Sequence, residues 1–93
     1  MSPRYTPRAL NDLTTILDYI AQHSPTGAKR VHQRIQLTVD LLARNPYIGV
    51  LTEDPTVRRI TTLPYRYLVF YEVSDEEVII HTIRHSSRAA SDF

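Results

Sequence analysis

The side chains of this sequence that could do chemistry are mostly arginines, and they flank runs of strand-forming residues. Arginine presents a planar, permanently charged group that binds phosphates and carboxylates through paired hydrogen bonds. A cluster of this kind could hold an anionic group, or it could stabilise charge in phosphoryl transfer with a histidine as acid or base. The candidate residues are Arg58, Arg59, Arg66, Arg84, His85 and Arg88.

A simpler interpretation is that these arginines pair individually with carboxylates at the protein surface. Exposed ion pairs contribute only about 0–1 kcal/mol each, so arginines of this kind would have no special role. The residue types alone favour this interpretation slightly and leave the chemical one open. The carboxylates available for such pairs are Glu53, Glu72, Glu76 and Glu77.

Other common kinds of site are not indicated. The chain contains no cysteine, which removes disulfides, thiolate zinc sites and cysteine nucleophiles. His81 and His85 would lie roughly 13 Å apart along a strand, too far for one metal ion. Ser86 and Ser87 follow His85, but adjacency along the chain does not make a catalytic triad. We therefore expect neither a metal ion nor a cofactor.

The composition limits the class of protein further. Ninety-three residues predict one domain, 1–93. The net charge is +1, from 11 basic and 10 acidic residues, which argues against a broadly cationic, sequence-specific nucleic-acid-binding protein. No apolar run approaches the ~20 residues of a membrane span, and the first residues lack the apolar segment of a secretion signal. We therefore expect a cytoplasmic protein without membrane contact.

Two amphipathic helices are predicted in the N-terminal half. Thr6-Pro7 and Ser24-Pro25 are both helix-start signals, since a hydroxyl caps the first free N–H groups and proline fits the first turn. The first helix is expected to end near His23, and the second near Arg44, because Pro46 disfavours helical geometry at the residue before it. The short connection favours an antiparallel helical hairpin. The apolar stripes are Leu10, Leu13, Leu17 and Ile20, then Val31, Ile35, Val39 and Leu42.

Leu37 and Leu41 lie off the apolar stripe of the second helix. One interpretation is that the loop around residues 47–49 folds back over these two side chains and buries them. The other is that they form a surface for a partner, since exposed apolar patches often mark contacts. The first interpretation is favoured, and the second is kept open.

Three strands are predicted in the C-terminal half, at 57–63, 65–73 and 77–84, because these segments are rich in β-branched and aromatic residues. Short turns between them predict an antiparallel meander. A short strand around Arg4 and Tyr5 would join the same sheet. The predicted fold class is therefore α+β, an N-terminal helical hairpin packed on a small antiparallel sheet, in the order β-α-α-β-β-β.

The alternation within the middle strand predicts that the second face of the sheet is apolar at its centre. Arg66, Leu68, Phe70 and Glu72 share this face, whereas Tyr71 belongs to the face that the helices would cover. An uncovered apolar centre needs a homodimer, a partner chain or a ligand over it. Tyr71 and the helical Tyr19 both lie beside apolar stripes, and we expect both to pack rather than to catalyse.

Nearly the whole chain resembles the RelE/ParE superfamily of toxins from type II toxin–antitoxin systems, and its ParE branch in particular. The resemblance is most specific in R-R-I-T-T-L-P-Y-R-Y-L-V-F-Y-E-V at 58–73 and in V-I-I-H-T-I-R-H-S-S-R at 78–88. The family pattern of an arginine, an aromatic strand and a final His-x-x-Arg fits Arg59, Tyr71, His85 and Arg88. The resemblance implies a cognate antitoxin that folds on binding and wraps the toxin.

The resemblance also separates two activities. RelE-like members cut mRNA on the ribosome with several basic residues and a general acid or base, whereas ParE-like members inhibit DNA gyrase. In this chain Thr61 and Leu68 stand where the RNA-cutting pattern has basic residues. Phe93 stands in place of a C-terminal tyrosine, and a phenyl ring cannot exchange a proton. In a further RNase subgroup a His-Tyr pair ends the chain, whereas Ser86 follows the histidine here.

The resemblance and these departures predict a ParE-like toxin that inhibits DNA gyrase by binding, without being an enzyme. A ParD-like antitoxin would neutralise it in a hetero-oligomer. Two alternatives remain, a RelE-like ribosome-dependent mRNA endonuclease using Arg59, His85 and Arg88, and a non-toxic relative that acts only through antitoxin binding. The predicted target-binding residues are Arg59, Arg66, Arg84, His85 and Arg88. The predicted antitoxin-binding residues are Leu37, Leu41, Leu68, Phe70 and Arg58.

Overall fold

The computed structural model of the protein describes residues 1–88, and of Arg88 the backbone alone. Two helices come first after a short strand, and four further strands follow. The elements are β1 (Ser2–Tyr5), α1 (Pro7–Ala21), α2 (Pro25–Arg44), β2 (Val50–Leu51), β3 (Val57–Thr62), β4 (Tyr67–Ser74), β5 (Glu77–His85) and a 3-10 turn (Ser86–Arg88).

Both helices begin where the sequence signals place them. The Thr6 hydroxyl accepts a hydrogen bond from the backbone N–H of Ala9 at 3.1 Å, and the Ser24 hydroxyl accepts one from that of Gly27 at 2.9 Å. Each bond satisfies one of the free N–H groups of a helix start. The predicted end at Arg44 is confirmed, whereas α1 ends at Ala21, two residues before the predicted position.

The five strands form one sheet in the order β1-β5-β4-β3-β2. The predicted antiparallel pairing is confirmed for β3, β4 and β5, and the predicted strand at the N-terminus is present. That first strand runs parallel to β5, so the sheet is mixed rather than purely antiparallel. The parallel pairing is possible because the two helices and strands β2 to β4 lie between β1 and β5 along the chain, which is a connection long enough to return in the same direction. The two-residue β2 was not predicted, because it is too short to show alternation.

The helices cover one face of the sheet and bury most of its apolar side chains there. The α2 stripe packs with alternate residues of β4 and β5, among them Tyr71 and Ile80. The other residues of β4 point to the opposite face, which we call the open face because no helix of residues 1–88 covers it. A second, smaller cluster lies on that face and consists of Val57, Leu68 and Phe70. Neither helix is long and apolar enough to cross a membrane.

Candidate functional site

The open face brings two of the predicted arginines to either side of β4. Arg59 of β3 lies opposite Phe70, and Arg84 of β5 lies opposite Leu68. Neighbouring strands are about 4.8 Å apart, so the backbones of these arginines are separated by about 10 Å across the sheet. Because directly paired residues share a face, both side chains rise from the same side as Phe70. The topology therefore assembles a basic surface from residues 25 positions apart in sequence.

The centre of this face differs from the sequence-based expectation of an uncovered apolar patch. Phe70 is 0% exposed and Leu68 is 8% exposed. The Arg84 guanidinium lies over the Phe70 ring, 5.0 Å from its centroid. A cation above an aromatic ring is attracted by the ring's electrons. An antitoxin could therefore not contact Phe70 without moving the side chains around it, and its predicted role as an antitoxin contact does not fit this arrangement.

An acidic residue and a histidine complete the open face. Glu72 lies one pair beyond Phe70 on the same side of β4, and its carboxylate is 2.9 Å from Nε2 of His81. Both side chains are partly buried. This pair places a negative charge beside the two arginines, so the open face is of mixed charge. That charge pattern suits a protein surface with carboxylates and basic groups better than a uniform polyanion.

The end of β5 holds the predicted histidine in a defined tautomer. The backbone N–H of Ser87 donates to Nδ1 of His85 at 3.2 Å, and the Ser87 hydroxyl lies 2.8 Å from the same atom. Because an N–H group can only donate, Nδ1 is the acceptor, and the neutral ring carries its hydrogen on Nε2. The Tyr67 ring meets the His85 ring edge-on, with centroids 5.2 Å apart.

Two other predicted target-binding residues lie near this end of the sheet. Arg66 sits in the turn before β4 with a φ of 61°, and its side chain is exposed. Its carbonyl oxygen accepts a hydrogen bond from the N–H of Ser86 at 2.9 Å, which ties the 3-10 turn to the β3–β4 turn. The backbone of Arg88 ends that turn, and its side chain lies outside the described residues.

Arg58, predicted as an antitoxin contact, is engaged by its own chain. Its Nη1 donates to the carbonyl oxygens of Gly49 at 2.8 Å and Tyr47 at 3.2 Å, and its guanidinium lies 5.3 Å from the centroid of the Tyr47 ring. These contacts hold the loop between α2 and β2 against β3. The structure therefore gives Arg58 an internal role, which the sequence did not indicate.

Tyr71, which the sequence correctly predicts as a packing residue, holds the same loop between α2 and β2 from the core. The Tyr71 hydroxyl donates to the carbonyl oxygen of Pro46 at 2.8 Å and accepts from the N–H of Gly49 at 2.9 Å. The ring is 0% exposed. Burial raises the pKa of Tyr71 above its usual value, although the Gly49 bond and the Arg58 charge act in the opposite direction.

We expect this buried phenol to make the protein sensitive to alkali. The raised pKa means that the unfolded chain loses the Tyr71 proton first, so the free energy of unfolding should fall as pH rises above about 10. The Tyr71→Phe variant should be less stable near neutral pH, because it loses both hydrogen bonds, but should lose less stability between neutral and alkaline pH. Urea unfolding at a series of pH values measures how the free energy of unfolding changes with pH in the parent and in the Tyr71→Phe variant. Equal changes in the two proteins would contradict the expectation.

Asp12 of α1 is a residue whose role the sequence did not reveal. Its Oδ2 accepts hydrogen bonds from the hydroxyl of Thr82 and from the backbone N–H of Ile83, the latter at 3.0 Å. The register of β4 and β5 shifts beside these residues, between Phe70 and Tyr71. Asp12 therefore accepts hydrogen bonds from donors at a β-bulge. Its position on the polar side of a helix does not predict this contact.

Replacing Asp12 with Ala should lower the free energy of unfolding by about 1–3 kcal/mol, because two donors at the bulge lose their acceptor. Asp18→Ala is the matched control, since Asp18 is an exposed carboxylate on the same helix. Urea unfolding followed by circular dichroism measures the free energy of unfolding of both variants. An equal effect of the two substitutions would show that the bulge does not depend on the Asp12 carboxylate.

A separate apolar surface lies on α2. Leu37 and Leu41 are 56% and 39% exposed, and the loop that was expected to bury them leaves Tyr47 and Ile48 exposed as well. The loop does not cover the leucines because Tyr71 and Arg58 anchor it over the end of the sheet. We call Leu37 and Leu41 the α2 surface.

Tyr19 also departs from its prediction, because its side chain is 64% exposed. It meets the ring of His23 edge-on, just beyond the end of α1, with ring centroids 5.6 Å apart. Within residues 1–88, no group of three or more acidic or histidine residues is arranged to hold a metal ion.

The arrangement of two helices over this sheet is also found in solved toxin–antitoxin structures. A chain of the chromosomal ParDE toxin–antitoxin system from P. aeruginosa superposes with a TM-score of 0.79 and 30% identity, over 91% of this chain and 95% of that one. A chain of the intact E. coli RelBE toxin–antitoxin complex superposes with a TM-score of 0.62 over 94% of this chain and 98% of that one, and its 18% identity makes this a likeness of fold. The chain therefore shares its fold with proteins of toxin–antitoxin systems.

The sequence places the chain in one family of these proteins. Residues 4–90 match the family described as the ParE toxin of the type II toxin–antitoxin system parDE, and the chain belongs to this family. It is 43% identical over 84 residues to Toxin RelE2 of Caulobacter vibrioides, covering 90% of this chain and 93% of that protein. It is 35% identical over 83 residues to Putative toxin Y4kP of Sinorhizobium fredii, covering 89% and 85%.

Proposed function

We propose that this toxin arrests growth by binding DNA gyrase, and that a ParD-like antitoxin neutralises it. The observation that carries the proposal is the open face, where Arg59 and Arg84 flank a buried apolar centre. Cutting RNA requires a group that activates the ribose hydroxyl and several charges around the phosphate. Here Leu68 lies at the middle of the face and Glu72 engages His81. These features favour a binding surface over a phosphoryl-transfer site.

The first experiment separates binding to gyrase from cleavage of RNA. Purified toxin is added to gyrase with relaxed plasmid, and in parallel to ribosomes translating a defined mRNA. We expect inhibited supercoiling or accumulated cleaved DNA in the first assay, and intact mRNA in the second. Normal gyrase activity together with cuts in the ribosome-bound mRNA would overturn the proposal. A stable antitoxin complex without growth arrest on induction would assign the chain to the non-toxic relatives instead.

An mRNA endonuclease is the second candidate, and one observation favours it. The relative that is 43% identical to this chain is named Toxin RelE2. In that case His85 would act through Nε2, since Nδ1 is occupied by Ser87. Arg59 and Arg88 would then stabilise the phosphate charge. The ribosome assay described above tests this candidate directly.

We propose that Arg59 and Arg84 form the centre of the target-binding surface, with Arg66, His85 and Arg88 at its end. Replacing Arg59 with Gln should raise the toxin concentration for half-inhibition of gyrase by about tenfold or more, because a central arginine of an interface often dominates its affinity. Arg44→Gln at the end of α2 is the control and should leave inhibition unchanged. An Arg59 variant as potent as the parent would remove this residue from the surface.

The antitoxin is proposed to cover the α2 surface. The helical period places the basic residues Arg30, Arg34 and Arg44 along the same side of α2 as Leu37 and Leu41. This combination fits an antitoxin helix with an apolar stripe between acidic residues. The Arg34 guanidinium also donates to the carbonyl oxygen of Leu63, whose exposed side chain extends the surface to the sheet edge. Leu68 and Phe70 are less suited to contact the antitoxin, since both side chains are buried.

The antitoxin surface is tested by introducing charge. The double substitution Leu37→Asp and Leu41→Asp should weaken antitoxin binding by about a hundredfold, while gyrase inhibition by the free toxin is retained. Lys29→Asp, on another side of the same helix, is the matched control. Unchanged antitoxin affinity of the double variant, measured by isothermal titration calorimetry, would place the antitoxin elsewhere.

A further inference from the structure

A groove of about 580 Å³ lies between α1 and the C-terminal end of β5. Its volume is within the range of small-molecule binding sites. It is separate from the α2 surface, which lies on the other helix. Its lining includes Arg8, Asn11, Thr15, Tyr19, Tyr67 and His85.

The groups that close the inner part of the groove are already satisfied. The Asp12 carboxylate accepts from Thr82 and from Ile83. Nδ1 of His85 accepts from Ser87, so the neutral ring offers its Nε2–H as a donor. Oδ2 of Asp12, the only carboxylate among the described lining residues, is therefore engaged by two uncharged donors of the same chain. A ligand entering the groove meets hydrogen-bond donors and aromatic rings beside this hydrogen-bonded carboxylate.

Three polar side chains of α1 are aligned on the helical side of the groove. Arg8, Asn11 and Thr15 follow one another at helical spacing and all line it. Within residues 1–88 these side chains are exposed and enter none of the hydrogen bonds or ion pairs described above. The guanidinium suits a phosphate, and the amide and hydroxyl can both donate to and accept from a sugar or a base edge.

Two tyrosine rings give the groove its aromatic character. Tyr19 is 64% exposed on α1, and Tyr67 lies across the groove on β4. Nucleic acid bases stack on aromatic side chains of this kind. Because the Tyr19 side chain is exposed, its ring is accessible to a base from solvent.

We propose that this groove binds a 5′-mononucleotide, with the phosphate at Arg8 and the base against Tyr19. One guanidinium matches one phosphate, whereas an acidic peptide or a polynucleotide would need several cations along the groove. The guanidinium of Arg84, the second arginine of the lining, lies over Phe70 on the open face. The proposal is independent of whether the toxin acts on gyrase or on mRNA.

The test is isothermal titration calorimetry of the full chain with adenosine 5′-monophosphate. We expect saturable one-to-one binding that Arg8→Ala weakens about tenfold and Tyr19→Ala weakens about tenfold, as expected for one charge-assisted contact and one stacking contact. Lys29→Ala, which removes an exposed cation of α2, should leave the affinity unchanged. Both test positions are exposed, and circular dichroism confirms that each variant is folded.

Control ligands distinguish the occupants. Inorganic phosphate alone and adenosine alone should each bind more weakly than the nucleotide, because each provides only one of the two contacts. No saturation with adenosine 5′-monophosphate at millimolar concentration would overturn the proposal, and so would equal affinities of the parent and the Arg8→Ala variant. Tighter binding of a glutamate-rich peptide or of a single-stranded oligodeoxynucleotide would also overturn it, and would assign the groove to a macromolecular partner.

Discussion

Replacing Phe70 with Ala is expected to lower the free energy of unfolding by about 3–5 kcal/mol, the usual cost of removing a fully buried aromatic ring. The ring is 0% exposed and forms a small cluster with Val57 and Leu68 on the open face. A domain of this size is stabilised by only about 5–15 kcal/mol in total, so the loss would be a large fraction of its stability. Chemical unfolding in urea, followed by circular dichroism, measures it.

Two comparisons make this result specific. Phe70→Leu keeps most of the buried volume and should cost clearly less, whereas Leu63→Ala removes a side chain that is 59% exposed and should cost under about 1 kcal/mol. A loss below 1 kcal/mol for Phe70→Ala would show that the open-face cluster is not part of the stabilising core. Phe70→Leu also removes the ring beneath Arg84. Weaker target binding by this folded variant would connect the cluster to the proposed function.

Replacing Gly49 with Ala should destabilise the protein by about 3 kcal/mol or more, since overpacking a rigid site forces its neighbours apart. An added Cβ would lie 2.5 Å from the Tyr71 hydroxyl oxygen, 2.7 Å from Cε1 of the same ring and 2.9 Å from the carbonyl oxygen of Arg59. The glycine does not have a positive φ, so the penalty comes from close approach and not from backbone conformation. Urea unfolding of the variant measures the loss.

The matched control for this prediction is Gly27→Ala on α2. There the nearest atom to an added Cβ is the Ser24 hydroxyl oxygen at 3.0 Å, and alanine favours a helix, so the net change should stay within about 1 kcal/mol. A double-mutant cycle identifies the cause. Combining Gly49→Ala with Tyr71→Phe should cost less than the sum of the two single substitutions, because the closest clashing atom is removed. Strict additivity would place the strain elsewhere.

Much of the candidate site was predictable as a set of residue types, but not as an arrangement. The alternation within β4 correctly separates Phe70 from Tyr71 and assigns them to opposite faces of the sheet. The burial of Phe70 was not predictable, because it depends on Arg84 lying across the ring from the neighbouring strand. Likewise Arg58 and Arg59 are adjacent in sequence, yet one holds a loop and the other rises from the open face.

The sequence by itself determined the helices, the main strands and their order. These features depend on residues close together along the chain, such as Thr6 and Ser24 at the helix starts and the alternating residues of β4. The ordered motifs also predicted the toxin superfamily, and the match of residues 4–90 to the ParE toxin family confirms it. The same local signals placed Leu37 and Leu41 outside the apolar stripe of α2.

The tertiary structure alone decided which side chains are partners within the chain. Asp12 reaches Thr82 across 70 positions, and Tyr71 binds the loop at Gly49 across 22. Such contacts join residues that have no sequence signal in common, because they form only when the helices dock on the sheet and the bulge in β5 sets the register. Docking of the helices on the sheet also holds the loop between α2 and β2 in a position where it does not cover Leu37. Of the arginines that the sequence indicated, Arg59 and Arg84 thereby come to lie on the same face of the sheet, whereas Arg58 holds a loop.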